Sequence, residues 1–522
     1  MRTGDEVPNR ETLNARRPRP GWLPAAVVIV LSLAALWPAL INGGPFYMAD
    51  TPSYIRGAAS GFFKLFHLNS EWANEYLRVY GGNQSAAGQA GETAVTAGTA
   101  SQLPVTLSGR SIFYGVFLFL AHLAGSFWIV VAVQSFLAAA CMYLIVDAIS
   151  RAAGTRARPF QAFLIGIVVL AATPLAYFTS YLMPDVFGGF ALLAAATLLF
   201  LWDQLSKGAR AFWLILLAYS LLVHNVNLTL TTVLLILATL FAWWRKLPLN
   251  RYQLVGIGAC IAAAMAGQAG FGQVVKAMTG ASPVRPPFIA MRLIADGPGY
   301  AYLKAHCSTE PYIYCRVLSQ TNPKSDTLLW TKDPRTSLFR GLSPDEQRQS
   351  AAEQPRFVKA VAAERPGEVL GSAIRNSIGQ LVQLDLNGFN YSRENRGRFR
   401  DTLPPKAFEA LSQSKAFRNE MPTAAIELLS ALTAVISAIF LLRFASSGHD
   451  DENCRRLRAF SLCILAGIAL NALICGALSG PKGRYEMRLI WVLPLVAGAI
   501  ASTGLKRRGL ILPNGSEPEA AD

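Results

Sequence analysis

The stretch from residue 22 to residue 58, WLPAAVVIVLSLAALWPALINGGPFYMADTPSYIRGA, decides the fold of this chain. Its first part, Trp22 to Leu40, is an apolar run long enough for a helix that crosses a bilayer. Asp50 is the first acidic residue after that run, and Thr-Pro-Ser-Tyr follows it directly. The stretch therefore predicts a membrane helix that is followed by a polar loop with a candidate catalytic residue.

The composition extends this prediction to the whole chain. Of its 522 residues, 52% are hydrophobic and only 15% are charged, whereas a soluble protein has about 25% charged residues. Apolar runs of helix-spanning length recur without the alternating pattern of a membrane barrel, which indicates an all-α polytopic membrane protein. Basic loops kept in the cytoplasm explain the net charge of +16 better than nucleic-acid binding does.

The apolar runs predict ten transmembrane helices, with both termini in the cytoplasm because basic residues cluster in alternate short loops. The run from Ile112 to Leu123 is too short to cross and is predicted to be half-inserted or interfacial. The predicted spans are 22–41, 126–149, 160–182, 186–202, 211–223, 228–244, 252–274, 421–442, 459–478 and 489–504.

These spans divide the chain into five parts. The long first loop, 42–110, and a mostly α-helical polar segment, 275–420, are predicted to be external. The parts in order are a disordered cytoplasmic N-terminus (1–21), an N-terminal transmembrane module (22–274), the polar segment (275–420), C-terminal transmembrane helices (421–505) and a cytoplasmic tail (506–522).

Two of the seven cysteines, Cys307 and Cys315, lie in the polar segment with seven residues between them. This spacing favours a disulfide formed in an oxidising compartment. The alternative is a zinc site with His306, but there is no CxxC motif and no second histidine nearby.

Asp50 is the first candidate catalytic residue. It is suited to act as a general base on an acceptor hydroxyl or as a metal ligand. The alternative is a helix N-cap, since Asp50-Thr51-Pro52 puts an acid just before a proline of a first helical turn. The neighbouring Tyr54 is predicted to form part of a pocket wall.

Three further polar positions lie at predicted external ends of spans. Asp185 follows Pro184, and an acid at a membrane boundary usually faces a cavity, although it can also cap the next helix. His224 and Asn225 form a turn and offer either a substrate-binding imidazole or a simple turn-forming cluster. Arg110 precedes the short apolar helix and either binds an anion or snorkels to the interface.

The segment from Gly480 to Arg488 is a basic turn on the predicted external side, against the usual charge rule. Its Lys482, Arg484 and Arg488 suit a phosphate, because a guanidinium can donate two hydrogen bonds to one phosphate group. A lipid-linked phosphate is therefore the predicted partner, with general contact to lipid headgroups as the alternative.

Together these motifs resemble the GT-C family of polytopic glycosyltransferases over residues 20–245 and 421–505. GRYEMRLIWVLPL also resembles the Arg-Tyr ending that often precedes the family's last helix. The matching motifs are ADTPSY (49–54), GRSIFYG (109–115), YLMPD (181–185), VHN (223–225) and GRYEMRLIWVLPL (483–495).

The resemblance implies transfer of a sugar, with inversion, from a polyprenyl-phosphate donor to a lipid or glycan on the periplasmic side of a bacterial inner membrane. Asp50 would be the base, with Asp185 as the second catalytic acid. The residues implied to bind substrate are Tyr54, Arg110, His224, Asn225, Lys482, Arg484, Tyr485 and Arg488.

Many family members have paired acids in the first loop, whereas Asp50 stands alone here. This departure favours metal-free base catalysis, or a site completed by Asp185, over a divalent metal cofactor. Two alternative functions remain from the sequence. One is a polymerase or ligase of lipid-linked glycans, and the other is a transporter or flippase, whose usual internal repeats are not evident here.

Overall fold

The computed structural model of the protein describes residues 22–73, 110–447 and 451–504. Over these residues the chain is helical, with no β-strand, and extended pairing is limited there to one bridge between Phe46 and Tyr181. The predicted all-α class is therefore confirmed for the described part of the chain. The predicted N-terminus (1–21), the tail (506–522) and most of the first loop lie outside it.

The N-terminal part begins with a helix pair, because Pro38 has no N–H to donate and interrupts the helix along the first apolar run. Both pieces, and the helix after Asp50, have a proline in their first turn, where its missing N–H costs no hydrogen bond. The helices are α1 (Leu23–Ala34), α2 (Trp37–Asn42), α3 (Thr51–Phe66), α4 (Ile112–Leu123) and α5 (Trp128–Ala152).

In the middle part, the predicted span 160–182 is broken at Thr173, which is extended. The cause is Pro174, since a residue before proline is disfavoured in the helical region. The helices are α6 (Pro159–Ala172), α7 (Leu175–Thr179), α8 (Val186–Phe200), α9 (Lys207–Val223), α10 (Asn225–Trp244) and α11 (Arg251–Thr279).

The polar segment is largely helical and contributes to two cores. Residues from Ala290 to Val361 form a hydrophobic core of their own, whereas Phe389, Tyr391 and Phe399 belong to the main core of the transmembrane part. The helices are α12 (Phe288–Asp296), α13 (Pro298–His306), α14 (Ser325–Trp330), α15 (Pro344–Glu364), α16 (Pro366–Val382), α17 (Arg393–Thr402), α18 (Pro405–Ser412) and α19 (Lys415–Arg418).

The C-terminal part closes the main core. Its helices are α20 (Thr423–Ala445), α21 (Glu452–Ser479), α22 (Gly483–Ile490) and α23 (Val492–Ser502). Trp491 lies between the last two helices and is fully buried. Its indole occupies the space beside Gly189 of α8, where even a methyl group would collide with the ring.

Within the described residues, seven helical segments are long and apolar enough to cross a membrane. The predicted spans 160–182, 186–202 and 211–223 fall on the shorter helices α6, α8 and α9. These helices have 14, 15 and 17 residues. Every residue of α8 is buried, so this helix meets protein instead of lipid and need not match the bilayer thickness. The seven segments are Leu23–Asn42, Trp128–Ala152, Asn225–Trp244, Arg251–Thr279, Thr423–Ala445, Glu452–Ser479 and Gly483–Ser502.

The loops predicted for one side of the membrane lie together. Asp203, between α8 and α9, forms an ion pair of 2.9 Å with Arg456 at the start of α21. Both residues belong to loops that are predicted to be cytoplasmic. The polar residues predicted for the other side gather at the opposite helix ends, as described below.

A disulfide joins Cys307, after α13, to Cys315, which is the pairing that the spacing predicts. The two half-cystines pack against the core of the polar segment. His306 instead lies 2.7 Å from Glu364, so the alternative zinc site with these two cysteines is not formed.

This disulfide allows a test of the compartment that the polar segment faces. Without reductant, the denatured full-length protein is expected to expose five thiols to a maleimide–polyethylene glycol, and seven after reduction, because the other five cysteines are free. The Cys307→Ser variant should expose six thiols both before and after reduction, one more than the unreduced parent and one fewer than the reduced parent. Seven accessible thiols without reductant would place the polar segment in a reducing compartment.

Gly115 allows α4 to pack closely against α3. A Cβ at this position would collide with the carbonyl oxygen of Tyr54, and a backbone atom cannot move aside as a side chain can. Gly115→Ala is therefore expected to lower the free energy of unfolding by about 1–3 kcal/mol, measured as a lower melting temperature in detergent. Gly258→Ala in α11 has open space around it and should be neutral or stabilising, by up to about 1 kcal/mol.

Candidate functional site

The backbone brings the Asp50 loop against the Asp185 loop. The N–H of Phe46 donates to Ser180 O, and the N–H of Leu182 donates to Phe46 O, each over 2.9 Å. The Thr51 hydroxyl adds a bond of 3.0 Å to Leu182 O. These bonds hold two segments that are far apart in sequence in one fixed register.

Asp50 pairs with Arg110. The guanidinium Nη2 donates to Asp50 Oδ1 over 2.5 Å, and both side chains are about one-quarter exposed (25% and 28%). Asp50 does occupy the N-cap position of α3, but its side chain makes no capping hydrogen bond. The capping alternative is therefore not realised, and the carboxylate faces a cation instead.

The charges around Asp50 keep it ionised. Burial alone would raise the pKa of its carboxyl group, but the positive charges of Arg110, Arg484 and Lys482 outweigh burial and lower that pKa. A carboxylate with a lowered pKa is a weak base. A role as general base therefore requires that at least one of these cations move away from it.

A second ion pair, between Arg488 and Asp185, is more deeply buried than the first. Arg488 Nη1 is 3.6 Å from Asp185 Oδ1, and these side chains are only 1% and 3% exposed. Asp185 is at the N-cap position of α8 but makes no side-chain capping bond there. The structure thus buries both residues, so Arg488 does not reach lipid headgroups as the sequence suggested.

Two residues that the sequence analysis missed complete this buried network. Asn471 Oδ1 accepts from Arg488 Nη2 over 3.2 Å, and Asn471 Nδ2 donates to Glu486 Oε2 over 2.5 Å. Both residues are fully buried. The available signals were an amide inside the apolar run 459–478 and a carboxylate within GRYEMR, since buried polar groups in membrane helices are rare and usually paired.

The ring of Tyr485 contacts both arginines of the basic turn. The guanidinium carbons of Arg484 and Arg488 are 5.1 Å and 5.4 Å from the centre of its ring, within the range of a cation–π contact. Arg484 also contacts the sulfur of Met48, two residues before Asp50. Its Nε is buried without a hydrogen-bond partner, so this cation has unused donor capacity at the site.

The polar segment reaches the site through α14, which the sequence analysis did not implicate. Lys482 Nζ pairs with Asp326 Oδ2 over 3.0 Å, and the Arg110 guanidinium lies 5.7 Å from the centre of the Trp330 ring. Both ends of α14 therefore touch cations that were assigned to substrate binding. Lys482 is engaged by an acid of this helix and does not point freely to solvent.

His224 has a structural role that is also compatible with binding. Its Nδ1 accepts the N–H of Val226 over 3.3 Å and so caps α10, as the turn-forming alternative predicts. Burial first, and then Arg488 and Arg484, lower its pKa to about 3. The ring is consequently neutral near pH 7, and with Nδ1 as acceptor its proton is on Nε2, which can donate. Asn225 is the first residue of α10.

Tyr54 is packed next to the site and does not point into open space. It is buried, and its ring packs edge-on against Tyr114 at 5.6 Å. The Tyr114 hydroxyl donates to Gln134 Oε1 over 3.0 Å, and Gln134 in turn donates to Thr179 O and Tyr181 O. Tyr54 is therefore part of a packed wall, and burial raises the pKa of its phenol, which stays neutral.

A cleft of about 280 Å³ opens beside the first loop but belongs to different residues. Tyr47, His122, Phe127 and Trp128 line much of it, and none of the predicted site residues does. Over the described ranges, no group of three or more histidine, cysteine or acidic side chains forms a possible metal site. The charged residues around Asp50 and Asp185 therefore form a cluster separate from the lining of this cleft.

Compared with protein-family models, curated proteins and solved structures, the chain matches none of them.

Proposed function

We propose that this protein is a membrane glycosyltransferase that moves a sugar from a polyprenyl-phosphate-linked donor to a lipid or glycan acceptor. The observation that carries the proposal is the carboxylate of Asp50 among three cations: Arg110 at 2.5 Å, with Arg484 and Lys482 near enough to lower its pKa. One acid and several cations at one membrane face are what a base and a phosphate site require.

The proposed chemistry begins with an exchange of partners. The phosphate of the donor competes with Asp50 for the Arg110 guanidinium, since arginine binds phosphate and carboxylate through the same donors. Removing this cation raises the pKa of Asp50 and turns it into a better base. The occupied ion pair thus keeps the base inactive until a donor is bound.

Transfer then follows as a displacement at the sugar's anomeric carbon. Asp50 accepts the proton of the acceptor hydroxyl, and the acceptor oxygen forms the new glycosidic bond. The bond between the anomeric carbon and the phosphate oxygen breaks, and the polyprenyl phosphate leaves with the electron pair. Arg110, Arg484 and Lys482 stabilise the charge on that leaving group.

The buried residues position this machinery. The Asp185–Arg488 pair holds Arg488 near Tyr485, and the ring of Tyr485 also contacts Arg484. Asp185 thus acts through Arg488 in this proposal, and Asn225 and Tyr54 shape the wall. The neutral His224 can donate from Nε2 to a sugar hydroxyl without repelling a cation.

The experiment is mass spectrometry of envelope lipids and glycans from a strain that lacks this protein. The expected result is the loss of one hexose-type mass increment from a lipid or glycan, restored by the wild-type protein. Loss of a whole polymer would identify a polymerase or ligase instead. An unchanged glycan profile, with a substrate accumulating on one side of the membrane, would replace the enzyme by a transporter.

A further inference from the structure

The helix α16 presents an apolar face that no other described part of the chain covers. Leu370, Ile374 and Ile378 are exposed to 62%, 49% and 61%, and Leu381 and Val382 to 45% and 71%. Spacings of three and four residues put these side chains on one side of the helix. The sequence analysis assigned α16 to a polar external segment, where such a stripe would face water.

The position of α16 in the fold indicates that its apolar face is not in contact with water. It packs along the last turns of α21, which is the span Glu452–Ser479. Ser377 Oγ donates to Leu473 O, and a Cβ at Gly476 would lie 2.6 Å from Asn376 O. Gly476 therefore allows α16 to approach α21 at backbone contact, inside the end of a membrane-crossing helix.

The exposed face of α16 continues a lipid-facing surface. Leu473 and Leu478 of α21, at the same level, are exposed to 48% and 41%, and a leucine exposed on a membrane span meets acyl chains. The border of the stripe is charged, with Arg375 and Glu368 exposed on one side of it. An apolar stripe with a charged border is the pattern of a helix embedded at the level between headgroups and acyl chains.

We propose that α16 is embedded in the bilayer leaflet next to the candidate site, with Leu370, Ile374 and Ile378 in contact with phospholipid acyl chains. Gln380 on the opposite face exchanges two hydrogen bonds with the backbone of Lys482. The helix thus anchors the basic turn directly to a lipid-contacting element. This inference does not depend on the proposed function.

The test is photo-crosslinking in proteoliposomes of phosphatidylethanolamine and phosphatidylglycerol. The photoreactive p-benzoylphenylalanine replaces Ile374 or Ile378, with Leu478 of the span as the positive control and the exposed Lys359 of α15 as the negative control. Intact-mass and fragment spectra identify any lipid adduct. We expect phospholipid adducts through an acyl chain at Ile374, Ile378 and Leu478, and none at Lys359.

Two outcomes would overturn the proposal. An adduct at Leu478 without any at Ile374 and Ile378 would show that α16 lies outside the bilayer. Crosslinks from Ile374 or Ile378 to a second copy of the chain would show that a protein partner covers this face. Replacing one exposed side chain leaves the buried contacts of α16 intact, so folding is retained and each outcome is decisive.

Discussion

Replacing Asp50 with asparagine is expected to reduce glycosyl transfer by about 10²–10⁴-fold, the range for loss of a positioned general base. The amide is nearly isosteric with the carboxylate but cannot take up the acceptor's proton. It also leaves Arg110 without its carboxylate partner, which frees this cation for the donor phosphate. The variant should therefore lose kcat while its KM for the donor falls. Loss of folded protein would lower the apparent kcat but leave KM unchanged, so the fall in KM separates the two explanations.

The measurement is the initial rate of transfer by purified protein in proteoliposomes, once the glycan profile has identified the donor. Asp345→Asn is the matched control, because Asp345 is an exposed acid on α15 that pairs with Arg348 three residues on. Its rate should equal that of the wild type. An Asp50→Asn protein with near-normal kcat would remove Asp50 from the role of base.

Replacing Arg488 with methionine is expected to cause the largest loss of stability, about 3–5 kcal/mol, because it leaves the buried Asp185 carboxylate without its cation. Both side chains are almost fully buried, and the closest approach of their charged atoms is 3.6 Å. Methionine has a similar length but supplies neither the charge nor the bond to Asn471. The measurement is the melting temperature in detergent, with steric trapping in bicelles for the free energy.

A double-mutant cycle separates the ion pair from simple loss of packing. Asp185→Asn added to Arg488→Met removes the uncompensated charge, so the double variant should be more stable than Arg488→Met alone. Arg398→Met is the matched control, since its pair with Glu394 is 52% and 73% exposed and such pairs contribute only about 0–1 kcal/mol. Additive effects of Asp185→Asn and Arg488→Met would show that these charges are not coupled.

The sequence predicted the helical elements well where local physics decides them. The short helix predicted at Ile112 to Leu123 has those bounds in the structure, because the apolar run and the left-handed Gly125 after it are local signals. Prediction failed for the span 160–182, where Pro174 breaks the helix. For α16 the sequence predicts a helix, but its amphipathic pattern does not reveal which partner its apolar face meets.

Only some residues of the candidate site could be predicted from the sequence. Asp50, Asp185, Arg110 and Arg484 stood out, because charged residues at the ends of apolar runs are conspicuous. Asn471 and Glu486 were not recognised, since a single polar residue in a long pattern carries little signal. Trp330 and Asp326 could not be recognised at all, as nothing local to α14 indicates contact with residues more than 150 positions away.

What the sequence by itself determined is the class of the protein, and it predicted the side on which the chemistry lies. Hydropathy indicates the first and basic loops indicate the second, because transfer to lipid and the charge rule act on each segment separately. Only the tertiary structure decided which charges form pairs. The Asp50–Arg110 and Asp185–Arg488 pairs, and the neutral state of His224, depend on distance and burial, and folding alone sets both.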